Sequence, residues 1–387
     1  MKTNLFLFMI GFVAFSSFCS SLTIDILHLP LCAVELFYLP LFLFYRKKIQ
    51  IPQDEFARLL LFIVLGIAIG GLNTIFSIAD ILPIARCFFW GGLGFLIAKN
   101  NNLLDLDKLY IFLLGVICGD CYNCFFRMNQ MFTSLEDKQY AVDINIVFSV
   151  LWLVVVVLNK NTLHFVLALI FVPIVSFLSI SRGVFSFFMA GLILSIILKF
   201  KNNPKKIISI IFFVALISVL AYHVYISIED NVLDVSTSIH MRLYTKMENI
   251  GDNDADSNRF AAYIYIFAHF YRYILPRGFL GKSFFDFKDG YFDEMYAWDS
   301  AYAELLYTFG FVLFLPMVFF YISRGRILYS KYRKEDIESG MFFTILVVVF
   351  YQLFFTYGII RSPFTVTSFG LVLGHILRLA NTKKLYS

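Results

Sequence analysis

Six arginines and two carboxylates are the groups in this chain best suited to act on an anionic substrate: Arg86, Arg182, Arg259, Arg272, Arg277, Arg361, Asp299 and Glu304. A guanidinium keeps its charge at any physiological pH, and its planar fork matches two phosphate oxygens. A carboxylate can take a proton from a sugar hydroxyl as general base. Asp299 and Glu304 open the stretch DSAYAELLYTFG, and either could serve in that way or pair an arginine. Arg86, Arg272 and Arg361 fit lipid headgroups or carboxylate partners as well as they fit substrate. For Arg182, in Ser181-Arg182-Gly183, and for Arg259 the substrate reading is preferred.

Other patterns carry less. Asp252, Asp254 and Asp256 alternate as in a calcium loop, but the turn glycine is missing. Tyr263 also stands where such a loop needs a bidentate glutamate, so a solvated acidic turn is expected. Cys118, Cys121 and Cys124 have CxxCxxC spacing inside an apolar stretch. An iron–sulfur site needs a fourth ligand, and packing of small residues in a span accounts for them. The six histidines form no HExxH pair, and no phosphate-binding glycine loop occurs. No metal or cofactor is therefore expected. The energy for any reaction must come with an activated substrate.

The elements that must position these groups are apolar. Of 387 residues, 60% are hydrophobic and only 15% charged, with a mean hydropathy of +0.78. A soluble domain is near half apolar and a quarter charged. The composition predicts an all-α polytopic membrane protein, residues 1–387 forming one integral domain. Stretches of about 20 apolar residues fall at 4–20, 26–45, 57–76, 80–98, 107–126, 142–158, 161–180, 184–200, 207–226, 299–322, 340–358 and 364–380. That predicts about twelve spans. The N-terminal run behind Lys2 resembles a signal peptide ending near Cys19, but a first span explains the same residues.

Basic residues in short loops set orientation. Arg46, Lys47, Lys48, Lys99, Lys108, Lys160, Lys199, Lys201, Lys205, Lys206, Arg324, Arg326, Lys331, Arg333, Lys334, Lys383 and Lys384 all fall on one side of this layout. Both termini are expected on that cytoplasmic side. The polar interlude 226–298 is expected outside, in a bacterium the periplasm. Charge confined to span ends gives no reason to expect nucleic acid as a partner. Within the interlude, SNRFAAYIYIFAHFYRYI predicts a short amphipathic helix with Phe260, Ile264, Phe267 and Tyr271 on one face. Pro276-Arg277-Gly278 is expected to end it.

This layout resembles the O-antigen polymerase/ligase superfamily. Three motifs carry the resemblance: the Ser-Arg-Gly turn at 181–183, the loop arginine of SNRFAAYIYIF followed by LPRGFLG, and DSAYAELLYTFG. The last is similar to the Asp-Asn-x-Tyr…Tyr-Gly pattern of Wzy-type polymerases, with Ser300 in place of Asn. The ligase branch carries a histidine where Trp298-Asp299 stands, which favours polymerase. The resemblance implies a GT-C-like, metal-independent, inverting glycosyltransferase of the bacterial inner membrane. Its substrates would be undecaprenyl-pyrophosphate-linked oligosaccharides, with membrane lipids and a chain-length regulator as further partners. Arg182 and Arg259 would hold pyrophosphate, Asp299 would orient or activate the acceptor, and Glu304 would stand behind it. Arg86, Arg272, Arg277, Arg361 and Tyr302 would bind substrate.

Overall fold

The computed structural model describes residues 51–73, 78–101, 106–131, 182–229, 266–279, 301–334, 336–353 and 363–382, with short pieces of residues 5–32 and isolated residues at 155, 156, 166 and 264. Eight α-helices occur among these residues. They are α1 (Gln53–Asn73), α2 (Ile78–Asn100), α3 (Leu106–Met131), α4 (Arg182–Lys199), α5 (Pro204–Glu229), α6 (Ala301–Arg333), α7 (Ile337–Gln352) and α8 (Pro363–Asn381). Each coincides with an expected span to within a turn or two, except that α6 runs eleven residues past its expected end at 322. The expected spans at 142–158 and 161–180 lie almost wholly outside the described residues.

A two-stranded antiparallel hairpin, β1 (Thr23–Ile26) and β2 (Leu29–Cys32), pairs Thr23 with Cys32 and Ile26 with Leu29. It takes the first residues of the stretch expected as the second span. Pro30 there has no amide proton to give a helix and is better tolerated in a short edge strand.

Among the described residues, two helices are long and apolar enough to cross a membrane by length and composition, over Gln53–Leu72 and Ala301–Arg333. Their outward faces are apolar as well. Leu61, Val64 and Leu72 on α1 and Leu313, Leu315 and Phe319 on α6 are exposed, as are Ile208, Phe212 and Val219 on α5. Helices with apolar residues on the outside as well as the inside fit a lipid surround.

The helices pack as two compact units, each drawn from several parts of the chain. One holds α3, α4, α5 and most of α7. Here the N-terminal helical residues lie against α3, with Gly11 close to Phe112 and Gly115 close to Phe8. The other unit holds the hairpin, α1, α2, the segment before residue 280, α6 and α8.

In the second unit, α1 and α2 form an antiparallel pair. Near its start, Glu55 accepts from the Lys99 ammonium and, at 2.8 Å, from the Asn100 amide at the end of α2. The α2 and α8 helices run parallel in backbone contact, with Gly370 against Gly91 and Gly374 against Phe95 and Lys99. Small residues spaced four apart permit such approach, and packing then holds the helices where lipid supplies no hydrophobic drive. The end of α6 joins the same end of the bundle. There Lys331 donates to the carbonyls of Leu379 and, at 2.6 Å, Thr382.

A Cβ on Gly370 would overlap the Gly91 carbonyl oxygen, whereas one on Gly71 would meet nothing within 4 Å. Gly370→Val should therefore destabilise the protein by about 1–3 kcal/mol or more, and Gly71→Ala should be neutral or slightly stabilising. Thermal unfolding of the purified variants in detergent measures both. Equal melting temperatures would contradict the packing.

Candidate functional site

Among the described residues of the second unit, the non-helical segment 273–279 wedges between α1 and a break in α6. The break is at Gly310, with φ 64° and ψ 167° inside an otherwise helical run. That conformation is essentially restricted to glycine. It separates Phe311 and Val312 from the carbonyls four residues earlier. Their amides instead donate to Tyr273 and Ile274 at 2.9 and 3.2 Å. The Tyr307 carbonyl in turn accepts from the Arg277 amide at 3.3 Å. Tyr307 is six residues from the start of α6, about 9 Å along the axis. In a helix apolar enough to cross a membrane, backbone groups freed by a break are best satisfied within the protein.

On its other side the segment meets Gly66 and Gly70 of α1. Gly278, at φ 81°, touches the Gly70 backbone, and the Phe279 amide donates to the Gly66 carbonyl at 3.0 Å. The Phe279 ring is fully buried. It stacks on Phe88 at 4.8 Å and meets Phe62 edge-on at 5.6 Å, and Phe309 closes the cluster against both. Ile81 and Ala85 line the same core.

This docking fixes Arg277. Its Nε donates to the Arg272 carbonyl at 3.1 Å, and its guanidinium lies 5.6 Å from the Tyr273 ring centre. The Tyr307 phenol is within its hydrogen-bonding and electrostatic reach. The rings of Tyr273 and Tyr307 are 5.9 Å apart. Arg272, in the 3-10 turn Phe270–Arg272, is exposed and lies over the Tyr271 ring at 5.7 Å. Glu304 is buried at 5% exposure and sits one turn before Tyr307 on the same stripe of α6. The Tyr302 hydroxyl donates to the Phe350 carbonyl at 2.8 Å, and its ring is buried.

Among the expected site residues, then, Arg272 and Arg277 share one cluster, with Glu304 a turn away along α6. Arg86 is half-buried on α2, next to Ala85 of the Phe279 core. Arg182 is the first residue of α4, in the other unit. Arg259, Asp299 and Arg361 lie outside the described residues. Of the expected aromatic face, Ile264, Phe267 and Tyr271 are exposed. Sequence reasoning missed Tyr273, Tyr307 and the Phe279 anchor. Gly66-x-x-x-Gly70 was their available signal, since that spacing marks a helix face open to close approach. Among the described residues no group of three or more histidine, cysteine or acidic side chains could hold a metal.

No family model, curated protein or solved structure matches this chain.

The wedge predicts a graded series. Phe279→Ala should cost about 3–5 kcal/mol by opening the aromatic core, and Gly310→Ala about 1–3 kcal/mol through its backbone conformation. Tyr302→Phe loses one hydrogen bond and should cost about 1 kcal/mol. Thermal unfolding ranks them, and a Gly310→Ala protein as stable as wild type would sink the account of the break.

Proposed function

We propose that this chain polymerises lipid-linked oligosaccharide repeat units on the outer face of the bacterial inner membrane. It would transfer the growing glycan from undecaprenyl pyrophosphate to an incoming lipid-linked unit. The observation that carries the reading is the wedge, which holds Arg277 and Arg272 at one end of a membrane-helix bundle, with buried Glu304 one turn from Tyr307 along α6. Lys99, Lys331, Arg333 and Lys334 gather at the opposite end. That asymmetry agrees with an arginine end facing outward and a lysine-rich end in the cytoplasm. About twelve spans, both termini in the cytoplasm and the interlude 226–298 outside complete the topology.

Chemically, pyrophosphate leaves easily once its charge is neutralised, and fixed guanidiniums can do that without a metal. In this reading Arg182 and Arg259 bear on the pyrophosphates. Arg277, Arg272, Arg86 and Arg361 hold the rest of the substrate. Asp299 orients or activates the acceptor hydroxyl with Glu304 behind it, and Tyr302 binds substrate. Binding both lipid-linked substrates together supplies proximity. A separate length regulator would set the product distribution.

Deletion of the gene should leave surface glycan one repeat unit long, seen as a single-step ladder on a gel. Long lipid-linked glycan left unattached would favour a ligase. Single units held on the cytoplasmic leaflet would favour a flippase. Arg182→Ala, Arg259→Ala and Arg277→Lys should each shorten the glycan at normal protein level. Lysine is expected to fail at 277 because it offers neither the planar fork nor the stacking of arginine. Unchanged glycan length in all three variants would remove the assignment.

A further inference from the structure

We propose that the turn between α4 and α5 is a binding site for an anionic phospholipid, with the headgroup phosphate on its lysines and an acyl chain along α5. The turn reads Lys199-Phe200-Lys201-Asn202-Asn203-Pro204-Lys205-Lys206, with four lysines in eight residues. No carboxylate occurs in the chain from Arg182 to Ile228. The turn is built rather than loose. The Asn203 amide donates to the Phe200 carbonyl at 2.7 Å, and the Asn203 side chain caps α5 by accepting from the Lys206 amide at 3.3 Å. Pro204 in the first turn of α5 is pre-set for a helix start. The ammonium groups of Lys199 and Lys206 stand 5.9 and 6.0 Å from the Phe200 ring centre. Lys201, Lys205 and Lys206 are exposed. The positive end of the α5 helix dipole adds to their field.

A second observation names the occupant. Lys205 continues into an apolar stripe at helical spacing, Ile208, Phe212, Leu216 and Val219, every one exposed, from 44% at Leu216 to 69% at Ile208 and Phe212. From Lys205 to Val219 is about 21 Å along the helix axis, longer than one leaflet's hydrocarbon depth of about 15 Å. The arrangement therefore offers cations at headgroup level and an apolar track running straight away from them. A free phosphate would use only the first. A zwitterionic lipid would set its own cation against the lysines. An anionic diacyl phospholipid complements both. Basic clusters at the end of a spanning helix attract such lipids by about 1 kcal/mol per cation, and salt screens the effect.

The site is tested on the full-length protein in nanodiscs of phosphatidylcholine, with phosphatidylglycerol or cardiolipin added in steps. Thermal unfolding and native mass spectrometry of retained lipid supply the readouts. Wild type should gain stability saturably and retain the anionic lipid. Each lysine removed in Lys201→Gln, Lys205→Gln and Lys206→Gln should weaken binding about fivefold. The triple Lys→Arg variant should retain it, and Phe212→Ser should weaken it with the charges intact. Three results would overturn the site: equal stabilisation by phosphatidylcholine, equal stabilisation by inorganic phosphate alone, or an undiminished effect in the triple glutamine variant. A triple glutamine variant that unfolds at the same temperature as wild type in pure phosphatidylcholine excludes misfolding as the cause.

Discussion

Everything in the second unit depends on one requirement: the backbone freed at Gly310 must be hydrogen-bonded where water is scarce. A helix interrupted at φ 64° gives up its regular amide partners at Phe311 and Val312. In a solvated helix water would replace them. Inside an apolar bundle each unsatisfied group costs several kcal/mol. The carbonyls of Tyr273 and Ile274 meet that need, and the amide of Arg277 returns a bond to Tyr307. The break and the segment are therefore one feature, neither stable without the other. The segment cannot slide, because Phe279 is locked among Phe62, Phe88 and Phe309.

Glycine does the complementary work on the helices. Gly66 and Gly70 open α1 to the segment, while Gly370 and Gly374 bring α8 against α2. The α2 helix carries both relationships, presenting Ile81, Ala85 and Phe88 to Phe279 and Gly91 and Gly94 to α8. The wedge is thus tied through α2 to a helix pair packed at backbone distance. At the far end the Lys99–Glu55 contact and the Lys331 bonds to α8 tie the same helices together. Dispersion and backbone hydrogen bonds carry this unit. The partly exposed Lys99–Glu55 pair contributes less, about 1 kcal/mol or below.

Helix positions were legible in the sequence because long apolar runs leave little choice. The 80–98 run became Ile78–Asn100, and the 364–380 run became Pro363–Asn381. The break at 310 was not, since a single glycine inside a helix is commonly tolerated and nothing local distinguishes one that turns to positive φ. Its signal is non-local, in the carbonyls of a segment more than thirty residues earlier. Gly370-x-x-x-Gly374 and Gly66-x-x-x-Gly70 were visible, but spacing alone does not say which helix or loop each receives. Within LPRGF, the anchoring of Arg277 depends on Tyr273 and Tyr307, which lie outside the motif. Tyr273 and Tyr307 escaped notice because tyrosine is common throughout this chain, with 22 in all.

The way Arg277 is held bears on what such a group can do. Its amide is committed to Tyr307 and its Nε to the Arg272 carbonyl, and its plane is steadied by the Tyr273 ring. A long side chain on an exposed loop would have to surrender rotamer freedom on meeting a ligand, about 0.5–1.5 kcal/mol per side chain. Here much of that ordering is already done in folding, at the expense of the unusual backbone at Gly278 and Gly310. Charge placed in advance interacts more strongly with a developing anion than charge that must be gathered from solvent. Under the proposed function, substrate would meet an arginine already oriented in this way. The glycine-bounded wedge is the simplest means by which an apolar bundle can fix one in place.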